Sequence, residues 1–254
     1  MSEARSLPGT TALPRVVPGA IALAWLVVIG AQLLGVAEAV HHDALIEGAL
    51  PLWAALAIFV LAWQSMTAAM MLPSSLPMIR LFHATVRSQP GRGAVTASFL
   101  GAYGLVWAGF GVVAFLGDTA LHSATEAMPW LGARGWIISA SVLAIAGAFQ
   151  FSKLKERCLR ECRHPGAFLL QYYRRGKGAA FELGLRHGLF CLGCCWALML
   201  VMVAVGAANL TWMALLTAVM VYEKTGRLST EVGHAVGAGL LTVAAVVALT
   251  QSAI

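Results

Sequence analysis

Seven long apolar runs, separated by short segments that hold most of the charged residues, constrain this chain more than any other feature. The runs lie near residues 19–40, 52–72, 94–117, 130–151, 188–206, 207–222 and 231–250. A helix needs about 20 mostly apolar residues to cross a bilayer. Charged residues make up only 11% of the chain, against about 25% in a soluble domain. The sequence therefore predicts an all-α fold, a polytopic membrane helix bundle of about seven transmembrane helices.

The basic residues predict how this bundle is oriented. If the N-terminus is cytosolic, all of the 17 Lys and Arg residues except Arg134 fall in cytosolic segments. Cytosolic loops of membrane proteins carry such an excess of Lys and Arg. We therefore expect a cytosolic N-terminus and an external C-terminus. Because the positive charge follows the loops, it indicates a lipid bilayer as the partner and argues against nucleic acid.

The chain is predicted to consist of a short tail and a single domain that contains one large cytosolic loop. Residues 1–18, rich in Pro, Gly and Ser, are expected to form a disordered cytosolic tail, and residues 19–254 a single transmembrane helical domain. Within the cytosolic loop 152–187, a short basic helix is predicted from Lys153 to Cys162. Pro73 and Pro77 are expected to end the second span, because proline removes a helical hydrogen bond.

Sulfur side chains and one imidazole share a face of the fifth span. These residues are His187, Cys191, Cys194, Cys195, Met199 and Met202. At 100° per residue around a helix, their side chains fall within an arc of about 140°. Thiolate and thioether ligands favour Cu(I), and thiolate with imidazole also suits zinc. The alternative is that small cysteines and adaptable methionines only pack helix against helix. Met70 of the second span is expected at a similar depth, so it is a further candidate ligand.

A second group of candidate ligands lies in the cytosolic loop. Cys158, Cys162 and His164 form a C-x3-C-x-H run, with the two thiols one helical turn apart. Neighbouring Arg and Lys residues are expected to lower the thiol pKa values and favour thiolate. The alternative is a pair of incidental cysteines on a basic helix that faces lipid headgroups. All five cysteines of the chain are placed on the cytosolic side, so we expect no disulfides.

The remaining polar groups give weaker signals. Glu223 and Lys224 are expected to be solvated at a helix end, the alternative being that Glu223 turns inward as a ligand or proton carrier. His234 is expected to be structural, and the external His41-His42 pair to be solvated. The sequence contains no Gly-rich phosphate loop, no nucleophile–base arrangement and no paired catalytic carboxylates. This favours binding or transport over an enzymatic function.

Three segments carry a resemblance to a known family. They are Met70-Met71-Leu72-Pro73, Cys158-Leu159-Arg160-Glu161-Cys162-Arg163-His164-Pro165 and Gly184 to Met199. In these segments the chain resembles a bacterial family described as predicted metal-binding integral membrane proteins, a domain of unknown function. The resemblance extends from about residue 20 to the C-terminus. It implies a metal role and a multi-pass location in the bacterial cytoplasmic (inner) membrane.

Together these features predict a copper-handling membrane protein that transports Cu(I) or delivers it to a membrane enzyme. Cys191, Cys194 and Cys195 are the expected primary ligands, and Met70 and Met199 the secondary ones. The loop group of Cys158, Cys162 and His164 is expected to act separately, exchanging metal with a metallochaperone or enzyme partner. Two alternatives remain open. One is an accessory or assembly subunit whose cysteines only pack, and the other is a membrane thiol oxidoreductase that uses Cys194-Cys195 or Cys158 with Cys162.

Overall fold

A computed structural model describes residues 13–14, 16–36, 45, 50–205 and 209–252. Throughout these ranges the regular structure is helical, without a strand. The helices are α1 (Val16–Leu33), α2 (Leu52–Thr85), α3 (Arg92–Ala127), α4 (Pro129–Gly132), α5 (Trp136–Phe149), α6 (Lys153–Arg163), α7 (Pro165–Tyr172), α8 (Lys177–Val205), α9 (Leu210–Thr225) and α10 (Ser229–Ser252). The predicted all-α fold is confirmed.

Five of these helices, α1, α2, α3, α8 and α10, are long and apolar enough to cross a membrane. Helices α5 and α6 make a sixth candidate if they are taken together as one span with a 62° bend. Helix α9 has 16 residues, about 24 Å at 1.5 Å per residue, which is less than the ~30 Å of the hydrocarbon core. The predicted count of seven spans and the predicted orientation stay predictions.

Helix α2 continues through both of its prolines, so the prediction that Pro73 and Pro77 end it is wrong. The carbonyl of Ala69, which would normally accept from the amide that Pro73 lacks, accepts a hydrogen bond from Trp25 Nε1 at 3.1 Å. In membrane helices, neighbouring helices and hydroxyl side chains commonly satisfy the groups that proline frees. The helix therefore carries Ser74 and its neighbours further into the bundle.

The start of the first helix differs from the expectation. Helix α1 begins at Val16, inside the segment predicted as a disordered tail, and Val17 is buried. Residues 1–12 and Arg15 of that tail, and the His41, His42 and Asp43 segment predicted to be external, lie outside the described residues.

A close contact between α3 and α8 fixes the position of the sulfur-bearing helix. A Cβ atom at Gly184 would lie 2.2 Å from the carbonyl oxygen of Phe99, and one at Gly188 would lie 3.0 Å from Val106. Small residues four apart allow membrane helices to approach this closely. The contact places the first half of α8 against α3 and leads its sulfur residues into the interior of the bundle.

Helix α6 folds back onto the bundle as an amphipathic helix. Ser152 caps its start by accepting a hydrogen bond from the Lys155 amide at 3.1 Å, as Ser commonly does at helix N-termini. Its buried face follows helical spacing and consists of Lys155, Cys158, Leu159 and Cys162. The predicted short basic helix is confirmed, but this face is packed against other helices instead of facing water or lipid headgroups.

Candidate metal centre

The predicted sulfur face of α8 is buried along its whole length. Each of its members is at most 3% exposed: His187, Cys191, Cys194, Cys195, Met199 and Met202. Met70 of α2 is also fully buried and belongs to the same core cluster as the cysteines. The helix thus directs soft ligand groups into one interior region, where water cannot compete for a bound ion.

Four thiols interact in a continuous run that crosses from α6 to α8. The sulfur atoms of Cys194 and Cys195 are 3.3 Å apart. Cys195 in turn lies close enough to interact with Cys191, and Cys194 with Cys162. We call Cys162, Cys191, Cys194 and Cys195 the thiol cluster. All five cysteines of the chain are free and buried.

The two cysteines of the loop motif pack against α8. Cys162 belongs to the thiol cluster, and Cys158 packs on the α8 backbone, where a Cβ atom at Gly193 would lie 2.5 Å from its sulfur. His164 follows the last residue of α6 and is exposed, so the three predicted ligands do not converge. The expectation that they act apart from Cys191, Cys194 and Cys195 stays a prediction, although α6 turns its two cysteines towards α8.

The acid–base properties of Cys158 also differ from the expectation. Helix α6 lies outside the five helices that are long enough to cross a membrane. Burial raises the pKa of the Cys158 thiol, and the neighbouring Arg157 opposes this shift without cancelling it. The prediction that flanking basic residues lower this thiol's pKa is therefore wrong, since the side chain faces α8 while the arginine faces outwards.

A small polar pocket surrounds the sulfur of Cys191. The ammonium group of Lys224 donates to this sulfur at 3.1 Å, and the hydroxyl of Tyr103 shares a hydrogen bond with it at 3.1 Å. Lys224 also donates to Ser74 Oγ at 2.8 Å, and Ser75 donates to the Tyr103 hydroxyl at 3.2 Å. Helices α2, α3, α8 and α9 therefore all contribute to the surroundings of one thiol.

The neighbouring residue Glu223 forms a buried ion pair. Its carboxylate accepts hydrogen bonds from Lys155 Nζ at 2.7 and 2.9 Å, and both side chains are at most 3% exposed. Lys155 also donates to Gln150. The expectation that Glu223 and Lys224 are solvated is wrong, because α6 supplies a partner for the carboxylate. Glu223 does turn inward, but as the counter-ion of Lys155.

The two histidines of the predicted inner region have different surroundings. The His187 ring is buried and stacks on Phe99 and Tyr103, with ring centroids 5.9 and 5.5 Å away. Its Nε2 atom has no hydrogen-bond partner among the described residues, and such an unsatisfied buried group needs an explanation. His234 is exposed and stacks on Phe151. Of the two, His187 keeps its place among the candidate ligands.

These groups form an open set of donors and not a closed cage. Among the described residues, no three His, Cys, Asp or Glu side chains are arranged to hold one ion together. Structural zinc needs four ligands in a tetrahedron, and no such set is present in the described part. Interacting pairs of buried thiols, surrounded by thioethers, are instead a donor set that fits Cu(I).

The fold and this centre define a class: an all-helical protein with several helices able to cross a membrane and a buried, thiol-rich interior. Residues 60–247 match the PpoB2 family, described as a copper chaperone, and the chain belongs to this family. The predicted membership of a metal-related family is therefore confirmed, and the description supports copper rather than zinc. The match includes the whole thiol cluster with Lys155, Glu223 and Lys224. No curated protein and no solved structure matches the chain.

Proposed function

We propose that this protein is a membrane copper chaperone that holds Cu(I) on its thiol cluster and delivers it to a membrane-bound enzyme. The observation that carries the proposal is the run of interacting thiols from Cys162 on α6 to Cys191 on α8. A run of soft ligands in a buried site suits Cu(I). The copper chaperone family to which the chain belongs supports the same metal.

The arrangement of the thiols suits transfer as well as storage. Cys194 interacts both with Cys162 and with Cys195, and Cys195 interacts also with Cys191. Successive pairs in the run therefore share a member. A Cu(I) ion can pass along them by exchanging one thiolate at a time, so that it is never released as a free ion. Met70, Met199 and His187 are the proposed secondary ligands.

The cytosolic side is the proposed side of exchange. With seven spans and a cytosolic N-terminus, the amphipathic helix α6 lies at the cytosolic face of a bacterial inner membrane. Its Cys162 is then the member of the run nearest to a soluble metallochaperone or to the cytosolic part of an enzyme. Its exposed face carries Lys153, Arg157 and Arg160, and anionic lipid headgroups attract such basic residues.

A thiol oxidoreductase is the second candidate, and the 3.3 Å separation of the Cys194 and Cys195 sulfur atoms favours it. Thiol–disulfide exchange, however, requires direct access of a thiolate to the substrate disulfide. Cys191, Cys194 and Cys195 are each at most 1% exposed. Burial therefore weighs against this candidate, whereas a small ion needs much less access than a disulfide.

Metal analysis of the purified chain tests the proposal. The protein is purified in detergent under anaerobic, reducing conditions, loaded with Cu(I) and dialysed against a Cu(I) chelator. We expect the unaltered protein to retain copper and the Cys191→Ser, Cys194→Ser, Cys195→Ser triple variant to lose it. The Cys158→Ser variant is the matched control, because Cys158 packs on Gly193 outside the thiol cluster, and it should retain copper.

Three results separate the alternatives. If the triple variant retains as much copper as the unaltered protein, the thiol cluster is not the site. If neither protein binds copper and the thiols respond to redox potential in labelling experiments, the oxidoreductase interpretation is favoured. If the protein binds no copper and its thiols do not respond to redox potential, the cysteines only pack, as in an accessory subunit. Helix content and size-exclusion profile verify that each variant is folded.

A further inference from the structure

We infer that Lys224 makes the thiol cluster selective for a monovalent metal ion, because its ammonium group balances the charge of Cu(I) held by two thiolates. This inference rests on the proposed function and deepens it by naming the residue that discriminates between metals. The ligand types alone do not discriminate, since thiolates also bind zinc strongly.

The position of Lys224 is the first observation. Its side chain is 5% exposed, and its ammonium group lies 3.1 Å from Cys191 Sγ and 2.8 Å from Ser74 Oγ. A buried charge is costly unless it is paired. Lys155, by comparison, has the carboxylate of Glu223 at 2.7 Å. In the part of the chain that the structure describes, no carboxylate pairs with Lys224. Its ammonium group donates a hydrogen bond to the Cys191 sulfur instead.

The charges of the buried groups then determine which ion fits. Lys155 and Glu223 cancel each other, which leaves the single positive charge of Lys224 beside Cys191. When two thiols give up their protons to water and bind Cu(I), the resulting unit carries one negative charge. Lys224 neutralises it. With Zn(II) or Cu(II) the two-thiolate unit is neutral, so the ammonium charge of Lys224 would stay buried without a counter-charge.

The surrounding hydroxyl groups keep the ammonium group at this position. Ser74 accepts one of its hydrogen bonds, Tyr103 shares a hydrogen bond with the Cys191 sulfur, and Ser75 donates to the Tyr103 hydroxyl. These groups come from α2 and α3, whereas Lys224 comes from the last turn of α9. Because α2 continues past Pro73, it brings Ser74 and Ser75 to the thiol. The charge is therefore held in place before an ion arrives.

Competition between two metals tests the inference. The full-length protein in detergent is equilibrated anaerobically with buffered Cu(I) and buffered Zn(II), and the two affinities are measured with chelators. In Lys224→Met, which removes the charge with little change in length, we expect the ratio of Cu(I) to Zn(II) affinity to fall at least about tenfold. Lys224→Arg should preserve the ratio. Lys153→Met, at an exposed position of α6, is the matched control and should also preserve it.

The outcomes are distinguishable from failure of the proposed function. If the unaltered protein binds no Cu(I), both proposals fall. If it binds Cu(I) but Lys224→Met keeps the same ratio, the inference is wrong and the proposed function stands. Size-exclusion and circular dichroism report whether the variant folds. If Lys224→Met does not fold, Lys224→Gln, which retains a hydrogen-bond donor but no charge, provides the same test with the same expected fall.

Discussion

The interior of this protein contains two sulfur-rich regions that are equally buried but differently surrounded. The cysteine region consists of the thiol cluster, Lys224 and the hydroxyl groups on α2 and α3. The methionine region is formed by the thioethers in the same core cluster as the cysteines: Met66, Met70, Met71, Met199, Met202, Met213 and Met220. Across the described residues, the hydrogen bonds that involve sulfur are made by cysteines.

This difference shows that buried sulfur alone does not identify a metal site. Met199 and Met202 are as fully buried as Cys191, and these three residues lie on the same face of α8. A buried ammonium group, however, is costly, and it lies beside the cysteines. This contact is the reason that the proposed Cu(I) site lies in the cysteine region, with the methionines as proposed secondary ligands.

The largest expected effect comes from exchanging one sulfur residue in each region. Cys195 interacts with both Cys191 and Cys194, so Cys195→Ser removes a ligand shared by two thiol pairs. We expect it to weaken Cu(I) binding by more than about 100-fold, since even a supporting partner of a metal ligand is worth about 10–100-fold. Met202→Leu conserves volume and should weaken binding less than about tenfold. Chelator competition measures both affinities.

Equal losses in these two variants would contradict the comparison. If Met202→Leu weakens Cu(I) binding as much as Cys195→Ser does, the ion is held in the methionine region. If neither variant weakens binding, the face of α8 is a packing surface. Purification of both proteins with unchanged helix content is the control for folding.

An intermediate effect is expected where α6 meets α8. In Gly193→Ala the new methyl group would lie 2.5 Å from Cys158 Sγ and 3.3 Å from Cys158 Cβ, so the Cys158 side chain, α6 or both must shift. Overpacking of this kind costs about 1–3 kcal/mol. We expect a lower unfolding temperature in detergent and slower Cu(I) loading, because Cys162 moves together with α6.

Gly178→Ala is the matched control for this prediction. Gly178 lies in the first turn of α8 with no atom within 4 Å of the added methyl group. Alanine is favoured over glycine in a helix by about 0.5–1 kcal/mol, so this variant should be as stable as the unaltered protein or more stable. A drop in unfolding temperature that is equal in both variants would contradict the contact between Cys158 and Gly193.

Much of the fold follows from hydrophobic length and helical spacing. The runs of apolar residues located α1, α2, α3, α8 and α10, because a bilayer requires that length. The face of α8 followed from the spacing of its sulfur residues. These are properties of single helices, and each can be worked out without knowing which helices are neighbours.

The polar part of the site depends on contacts between helices and was therefore missed. Lys155 and Glu223 are 68 residues apart, and no local pattern indicates that they pair. Lys224 was expected in water for the same reason. A weak signal was present: Tyr103 is a polar residue within an apolar run, and Ser74 and Ser75 closely follow the end of another. Intramembrane polar residues commonly face the interior and have a functional role.

The smallest expected effect concerns the entrance of the thiol run. Cys162 interacts with Cys194, while His164, two residues later, is exposed. If Cys162 is the first thiol that an incoming Cu(I) ion meets, Cys162→Ser should slow loading from a Cu(I)-donor protein several-fold. The amount of copper bound at the end should stay the same, because Cys191, Cys194 and Cys195 remain.

Stopped-flow loading followed by metal analysis separates rate from capacity. His164→Ala is the matched control, since it removes an exposed neighbour of the entrance without changing the thiol run, and it should load at the unaltered rate. A slower rate in His164→Ala would indicate that the His164 imidazole takes part in Cu(I) loading at the loop. Loss of all bound copper in Cys162→Ser would place the principal ion at α6, and the division between an entrance and an inner cysteine region would have to be abandoned.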